Sequence, residues 1–554
     1  MNSPLLQIKK LTIKAKNQVL VQNLSADIYP NQTLAIVGES GSGKSLTSLS
    51  IMGLLAKNIS VEGEILYKDR NILTLTEEEH RKLRLHDFSM IFQEPMTALN
   101  PSLKCGPQVL EKLQLVYSDK NTSKLKTGVL QLFEKTKLPE VERIYQSYPH
   151  QLSGGQKQRV MISMALAGKP KLLIADEPTT ALDATIQREI LILLKQLQEE
   201  ENLAVLFISH DLDVVKGLAD DVLVLFRGQV KEYGTAIEIF NAPNDSYTQA
   251  LLACKTTYQT YDKRLPLVQK RLAGHLLQTE LIPSNERLLK AQKLVESKPI
   301  LRVKDLNKTF KRKKGFGKID TVYASQHIEL NIYPGESLGL VGESGSGKST
   351  LGRILAGLDK PDSGNIFFQE RDISKARTSE WKRIHKDIQL IFQDPAASLP
   401  PRLKAGTILS EVLQVNRKLS KSEAKKEAVS LLLQVGLKPE DANKFPHQFS
   451  GGQKQRIGIA RALAVQPKFI VCDESVSALD VSVQAQILNL LNDLKELYNL
   501  TYLFISHDLS VVKYFCDRII VLKDGKMVEE GFSEEIYKNP QTNYTEKLLA
   551  ATGF

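Results

Sequence analysis

The chain has 554 residues and a formal net charge of +11, from 74 Lys and Arg against 63 Asp and Glu. That length suits two to four domains, each able to bury a core without disulfides or a metal. No run of 18 or more apolar residues occurs, and the Met1 start lacks the charged region, apolar run and small-residue cleavage site of a secretory signal, so a cytosolic protein with no membrane span of its own is expected. The basic residues are dispersed apart from short clusters such as 311–314, which argues for a solvated or lipid-facing surface and against nucleic-acid recognition. Cys105, Cys254, Cys472 and Cys516 are too far apart for any C-x-x-C pattern and read as small core residues.

In chain order, the first informative run is Leu34-Ala35-Ile36-Val37, a buried-strand pattern, followed by Gly38-Glu39-Ser40-Gly41-Ser42-Gly43-Lys44-Ser45 and a helical pattern that begins at Leu46. This is a strand, a G-x-x-x-x-G-K-[ST] loop and a helix. Backbone N–H groups of such a loop cradle phosphates, the Lys reaches the outer ones, and the Ser hydroxyl suits Mg²⁺. After Gln93 comes an insert in which Leu125, Val129, Leu132 and Phe133 make a helical stripe that reads as core. Next, Ser153-Gly154-Gly155-Gln156 opens another helical pattern, suited to an anion or simply a Ser cap. Leu172-Leu173-Ile174-Ala175-Asp176-Glu177 then delivers two carboxylates at a strand end. Phosphoryl transfer needs charge neutralised and a nucleophile oriented, so Asp176 suits the Mg²⁺ shell and Glu177 a water. Thr180-Ala181-Leu182-Asp183 follows, and His210 closes an apolar strand within Phe-Ile-Ser-His-Asp.

The whole series is then written again. Gly342-Glu343-Ser344-Gly345-Ser346-Gly347-Lys348-Ser349 with Thr350, Gln393, Ser450-Gly451-Gly452-Gln453, Asp473-Glu474, Ser477-Ala478-Leu479-Asp480 and His507 follow in the same order. The second insert carries the stripe Ala424, Ala428, Leu431, Leu432 and Val435. Matching landmarks lie 304 residues apart at the cradles, 300 at Gln93 and Gln393, and 297 from Ser153 and Ser450 to the Tyr247-Thr248 and Tyr544-Thr545 pairs. A period that long is a duplicated domain, not a solenoid repeat. The expected organisation is a first domain over 1–254, a connector over 255–299 and a second domain over 300–554. Pro266, Gly274 and Pro283 with many Lys and Arg predict a mostly extended, solvated connector, with Leu272, Leu276 and Leu277 as candidates for docking.

The combination of cradle, Ser-Gly-Gly-Gln segment and Asp-Glu strand end resembles the ATP-binding-cassette ATPases, whose signature motif is the Ser153 and Ser450 segment. The Phe92-Gln93-Glu94-Pro95-Met96-Thr97-Ala98-Leu99-Asn100-Pro101 run, Tyr148-Pro149-His150-Gln151, and the Asn-Pro, Tyr-Thr and Leu-Leu pattern near the end are similar to peptide-type uptake ATPases. A fused pair resembles the ATPase subunits of microcin C-type and glutathione importers. The resemblance implies an α/β fold of two tandem P-loop NTPase domains, each with a mainly parallel sheet core, an antiparallel β subdomain and a helical subdomain. It implies ATP and Mg²⁺ as cofactors, with Ser45, Gln93, Asp176, Ser349, Gln393 and Asp473 toward the metal. Glu177, His210, Glu474 and His507, with both Gln residues, take the catalytic roles. It further implies head-to-tail pairing of the two halves, with Lys44 opposite Ser450 and Lys348 opposite Ser153. Two transmembrane permease subunits, an extracytoplasmic solute-binding protein, no nucleic acid and a peripheral place on the cytoplasmic face of the membrane complete the expectation. The alternative is a soluble two-cassette ATPase that acts on the ribosome; such proteins have a long charged helical connector, which Pro266, Gly274 and Pro283 interrupt.

The copies differ on the adenine side. Family sites often stack adenine on an aromatic residue upstream of the cradle. The second copy offers Tyr323, 19 residues before Gly342, and also Phe310; the first has Val19 and Ala15 at the matching positions, with Tyr67 as a possible substitute. All Lys, Gln, Ser, Glu and His landmarks persist in both copies, so two hydrolytic sites of unequal ATP affinity are expected. Turnover of Glu177→Gln and Glu474→Gln, measured separately, tests this: each is expected to lose activity, and full activity in either would show that one site is silent.

Overall fold

The structure, a computed structural model, describes residues 3–16, 18–93, 98–117, 121–179, 182–254, 263–273, 281–314, 318–477 and 479–551. Glu94, Pro95, Met96, Thr97, Thr180, Ala181, Gly274, Leu276, Leu277 and Ala478 lie outside the described residues, as do the side chains of residues 312–314. Two compact units divide the chain, one built mainly from residues up to Ala253 and the other mainly from Leu276 onward.

In the first unit the strands are β1 (Leu6–Ala15), β2 (Gln18–Ile28), β3 (Thr33–Val37), β4 (Ile59–Tyr67), β5 (Arg70–Asn71), β6 (Phe88–Ile91), β7 (Leu172–Asp176), β8 (Ala204–Ser209), β9 (Asp221–Phe226) and β10 (Gln229–Thr235). Strands β3, β7 and β8 are apolar without alternation and buried throughout, the pattern of parallel strands covered on both faces. They pair in parallel in the order β6-β7-β8-β3-β9. Strands β1, β2, β4 and β5 pair antiparallel. A hydrogen bond from the Gln22 N–H to the Gly228 carbonyl, 2.7 Å, joins the two parts into one ten-stranded sheet.

In the second unit β11 (Leu301–Lys314), β12 (Lys318–Ile332), β14 (Ser363–Phe368) and β15 (Arg371–Asp372) form the antiparallel sheet. The six-stranded sheet runs β16 (Ile388–Ile391), β17 (Phe469–Asp473), β18 (Thr501–Ile505), β13 (Ser337–Val341), β19 (Arg518–Lys523) and β20 (Lys526–Phe532). The Gln326 N–H bonds the Gly525 carbonyl at 2.7 Å, the counterpart of the Gln22 bond. The division into two sheets here and one in the first unit is therefore a matter of a single bridging pair.

Each parallel sheet is interrupted by a helical insert between β6 and β7 or β16 and β17. Leu125, Val129 and Phe133 are buried on the helix Thr122–Lys135, with Leu132 half-buried, and Ala424, Ala428, Leu431, Leu432 and Val435 are buried at the helix Lys421–Gln434. Both stripes are core, as their period predicts. All four cysteines are buried and unpaired with one another.

The connector differs from its expected extended form. Among its described residues are two helices, Val268–Leu272 and Ser284–Val295. Leu265 is buried in the core of the second unit, and Val268 is buried on the first unit. Pro283 stands just before the first turn of its helix, where a missing N–H costs nothing. Leu272, a candidate for docking, is 39% exposed.

One buried charge gives the second unit its own pH dependence. Glu336 is fully buried, accepts from Arg518 Nη1 at 2.8 Å and from the Tyr333 N–H at 2.7 Å. Burial pushes its carboxyl up to about 7 against the opposing pull of Arg518. Between about 4.5 and about 7 the folded chain holds a proton that the unfolded chain has lost, so this group lowers stability as pH rises through that window. Amide exchange of β13 is expected to quicken, relative to Glu336→Gln, between pH 5 and pH 8. The first unit has Gln32 at the matching position and so lacks this carboxyl.

Candidate functional site: paired nucleotide cradles

Four adjacent parallel strands deliver the candidate residues to one sheet end in each unit. In the first, Ile91 of β6 pairs with Ala175 of β7, Asp176 with Ile208 of β8, and Ser209 with Val37 of β3. Gln93, Asp176-Glu177, His210 and the loop at Gly38 therefore emerge side by side at the carboxyl ends. This is where ligands bind in open α/β sheets. The second unit repeats the register through β16, β17, β18 and β13.

The loop leaves β3 and turns into the helix Lys44–Ile51 through Gly43, whose φ is 107°. A Cβ at Gly43 would meet Val21 at 2.6 Å, and one at Gly347 would meet the Ala324 carbonyl oxygen at 2.0 Å. Only glycine lets the cradle lie this close to the antiparallel sheet. At Gly41 and Gly345, with φ of 78° and 83°, the space beyond is open, which leaves the concave side of the loop clear. Lys44 Nζ, 5% exposed, curls back to the carbonyls of Gly38 at 2.7 Å and Glu39 at 3.0 Å. Lys348 Nζ does the same to Gly342 at 2.6 Å and Glu343 at 2.8 Å. Each ammonium is thus buried at the mouth of a loop of backbone N–H groups, where a phosphate oxyanion could meet both.

Opposite the lysine, Ser45 Oγ donates to Asp176 Oδ1 at 3.2 Å, and Ser349 Oγ to Asp473 Oδ1 at 2.8 Å. Burial raises the carboxyl pKa of Asp176 and of Asp473, and the adjoining Glu charge adds to the rise. A hydroxyl beside a desolvated carboxylate is a hard oxygen pair that suits Mg²⁺. Glu177 and Glu474 stand in the left-handed region, with φ of 47° and 44°, a conformation that costs a non-glycine residue about 1–3 kcal/mol. Paying it in both units turns each carboxylate toward two polar partners. Gln93 Nε2 donates to Glu177 Oε2 at 2.8 Å, and His210 Nδ1 lies 3.1 Å from Oε1. Gln393 Nε2 donates to Glu474 Oε2 at 2.7 Å, with His507 Nδ1 at 3.6 Å. Burial alone would push the His507 imidazole down and the Glu474 carboxyl up; their mutual attraction wins, so the imidazole is raised and the carboxyl lowered.

The structure thus gathers Lys44, Ser45, Gln93, Asp176, Glu177 and His210 together, and likewise their six counterparts. Ser153 and Ser450 stand apart, at the starts of the helices Gly154–Leu166 and Gly451–Leu463. Each forms a capping box with Gln156 or Gln453: the hydroxyl accepts from the Gln N–H, and the Gln side chain accepts from the Ser N–H. Asp183 caps the helix Ala184–Glu201 through the Ile186 N–H. Leu46 packs partly against the core, which leaves its backbone as the part that can face the cradle; Thr350 is half-buried on the first turn of its helix.

Beside the second cradle Tyr323 is 54% exposed, one residue before Ala324, which abuts Gly347. Tyr323 pairs with Thr309 and Phe310 with Val322, so Tyr323 and Phe310 face opposite sides of the strand pair. Val19, 47% exposed, takes the matching place in the first unit. Tyr67 does not substitute: it is 5% exposed, its hydroxyl bonds Asp87 at 2.7 Å, and its ring packs edge-on to Phe88. Sequence reasoning missed Tyr544, whose hydroxyl accepts the Glu343 N–H at 3.2 Å; its counterpart Tyr247 is buried and stacked on Phe226. The replacement of Phe226 by Lys523 at the matching position was the available signal.

The sequence matches the ABC transporter family over residues 21–180 and 325–477. The chain belongs to the ABC transporter family. It is a two-cassette ABC ATPase that binds ATP. "Glutathione import ATP-binding protein GsiA" of Escherichia coli (strain K12) is 44% identical over 545 residues, 96% of this chain and 86% of that one. Its namesake in Pectobacterium atrosepticum is 43% identical over 547 residues, with the same shares covered.

The Gln-to-Glu contact of this ABC ATPase can be tested directly. Gln93→Glu and Gln393→Glu each set a second carboxylate within about 3 Å of the first, which raises the pKa of the pair. Steady-state assays should show turnover reduced about 10²-fold while ATP binding holds within a few-fold.

Proposed function

We propose that the chain powers the uptake of peptides or peptide-like solutes through two separate permease subunits, from the cytoplasmic face of the membrane, with an extracytoplasmic protein that delivers the solute. The observation that carries this reading is the complete Lys, Ser, Gln, Asp-Glu and His constellation, present twice in a chain whose relatives over 96% of its length are named import ATP-binding proteins. No helix among the described residues is long and apolar enough to cross a membrane, so solute movement falls to other chains.

Mg²⁺-bound ATP supplies the phosphoanhydride. Lys44 and Lys348 hold its outer phosphates, the loop N–H groups of residues 38–45 and 342–349 cradle them, and Ser45 with Asp176, or Ser349 with Asp473, holds the metal together with Gln93 or Gln393. Glu177 and Glu474 orient a water and accept its proton, and His210 and His507 hold those carboxylates in place. Ser153-Gly154-Gly155-Gln156 and Ser450-Gly451-Gly452-Gln453 supply helix N-termini to the nucleotide of the opposite half. The two halves close head to tail because ATP contacts both only when they meet, and fusion in one chain raises their effective concentration. Tyr323 stacks adenine at the Lys348 site, and Val19 makes the Lys44 site the weaker binder.

Expression with its native neighbours should place the protein in the membrane fraction with two hydrophobic subunits, and Lys44→Ala/Lys348→Ala should abolish Mg²⁺-dependent ATPase activity while that association persists. Salt-sensitive recovery with ribosomes instead would sink the transport reading.

A further inference from the structure

The helix Ser284–Val295 lies outside the matched cassette regions, yet it is built into the second unit. Arg287, with its side chain 15% exposed, donates from Nη2 to the carbonyls of Lys513 at 3.0 Å and Cys516 at 3.2 Å. These carbonyls belong to the last turn of the helix Leu509–Phe515 and its cap, where a cation satisfies orphan acceptors and opposes the helix dipole. Beside it Glu534 is 5% exposed, and neither of its carboxylate oxygens has a hydrogen-bond donor within reach among the described residues. Arg287 Nε stands 3.8 Å from one of them. A second part of the connector grips the same region. Asn489 bonds both the N–H and the carbonyl of Leu265, at 3.0 and 2.8 Å, and accepts from the hydroxyl of Tyr514 at 3.3 Å.

The other end of this two-turn helix begins at Asp508, which follows His507. Asp508 Oδ1 accepts from the N–H groups of Ser510 and Val511, so the backbone of His507 is fixed to the helix start. A helix of seven residues is about 10 Å long and moves as one piece. The first unit has no such grip among its described residues. The positions that match Glu534 and Asn489 are Ile237 and Ile192, which are 75% and 50% exposed.

We propose that the connector is a working part of the second cassette, with Arg287 a positioning residue that holds the helix behind His507 and so sets the hydrolytic competence of the Lys348 site alone. This rests on the ATPase reading of that site. Loss of Arg287 by itself would leave the buried Glu534 carboxylate with Lys513 as its neighbouring cation and one fewer counter-charge, so the decisive variant is Arg287→Ala/Glu534→Gln in the full-length chain.

Two measurements with 8-azido-ATP test it, each resolved by cleavage within the connector into a first-half and a second-half label. Photolabelling in the cold without turnover reads binding, and vanadate trapping reads hydrolysis. The double variant is expected to bind in both halves within twofold of the unmodified protein, and to lose vanadate trapping at least fivefold in the second half with the first half unchanged within twofold. Arg287→Lys, which keeps a cation beside Glu534 and one donor for the carbonyls, should retain at least half of the trapping. Equal losses in both halves, unchanged trapping in the second half, or loss of binding together with trapping there would overturn the proposal. A wild-type protein that traps in neither half would overturn the ATPase reading, and the inference with it.

Discussion

Two adjacent carboxylates at the end of a buried parallel strand are the constraint around which each cassette is arranged. Asp176 and Glu177 share the last turn out of β7, both less than a tenth exposed, and like charges in such a place are costly unless something nearby takes up the field. Every element that reaches the sheet end brings a compensating group. The helix after the cradle brings Ser45 and Lys44, β6 leads to Gln93, and β8 leads to His210. The left-handed backbone at Glu177 and Glu474 is the local strain that separates the duties of the pair. One carboxylate turns to the cradle hydroxyl, and the next turns away to the amide and the imidazole. A site so arranged suits a ligand that carries both a cation and oxyanions.

This explains why so much of the site was legible in the sequence. The cradle is contiguous, because a helix N-terminus and a phosphate must meet over a few residues, and the Asp-Glu and His landmarks each close a strand. Parallel strands that neighbour one another must bring such endings together whatever loops lie between. What escaped were the contacts set by packing. Tyr67 reads as a free aromatic upstream of the cradle, yet its alternating strand turns it inward against Phe88 and Asp87. Tyr544 follows its cradle by about two hundred residues, and no local pattern connects them. In the connector, Pro266 and Pro283 read as breakers by composition, yet Pro283 directly precedes a helix start, where a missing N–H leaves no helical bond unmade.

The duplication shows which parts of a cassette the chemistry holds fixed. The cradle lysine and serine and the residues at the strand ends agree between copies in type and in geometry, down to the two carbonyls that hold each lysine. Divergence is found where the requirement is looser. Adenine can be stacked by any aromatic ring or by none, and the copies present Tyr323 and Val19 at one place beside the cradle. The mouth of the second cradle is tied to Tyr544, while Tyr247 packs on a phenylalanine.

The connector breaks the symmetry for a different reason. A chain joined once in the middle has one connector for two copies, so no surface that it covers can be equivalent on both. Where it lies on the second unit, the matching surface of the first must stand without that cover, and Asn489 and Glu534 on one side against exposed Ile192 and Ile237 on the other record the difference. The covered positions are polar because they must meet a backbone and a guanidinium, and a buried Asn that satisfies both the N–H and the carbonyl of one residue fixes register as well as contact. Fusion therefore does more than raise the local concentration of two halves. It gives one of them an additional helix bonded to the end of the helix that follows its histidine, and two cassettes with the same landmark residues become physically distinct.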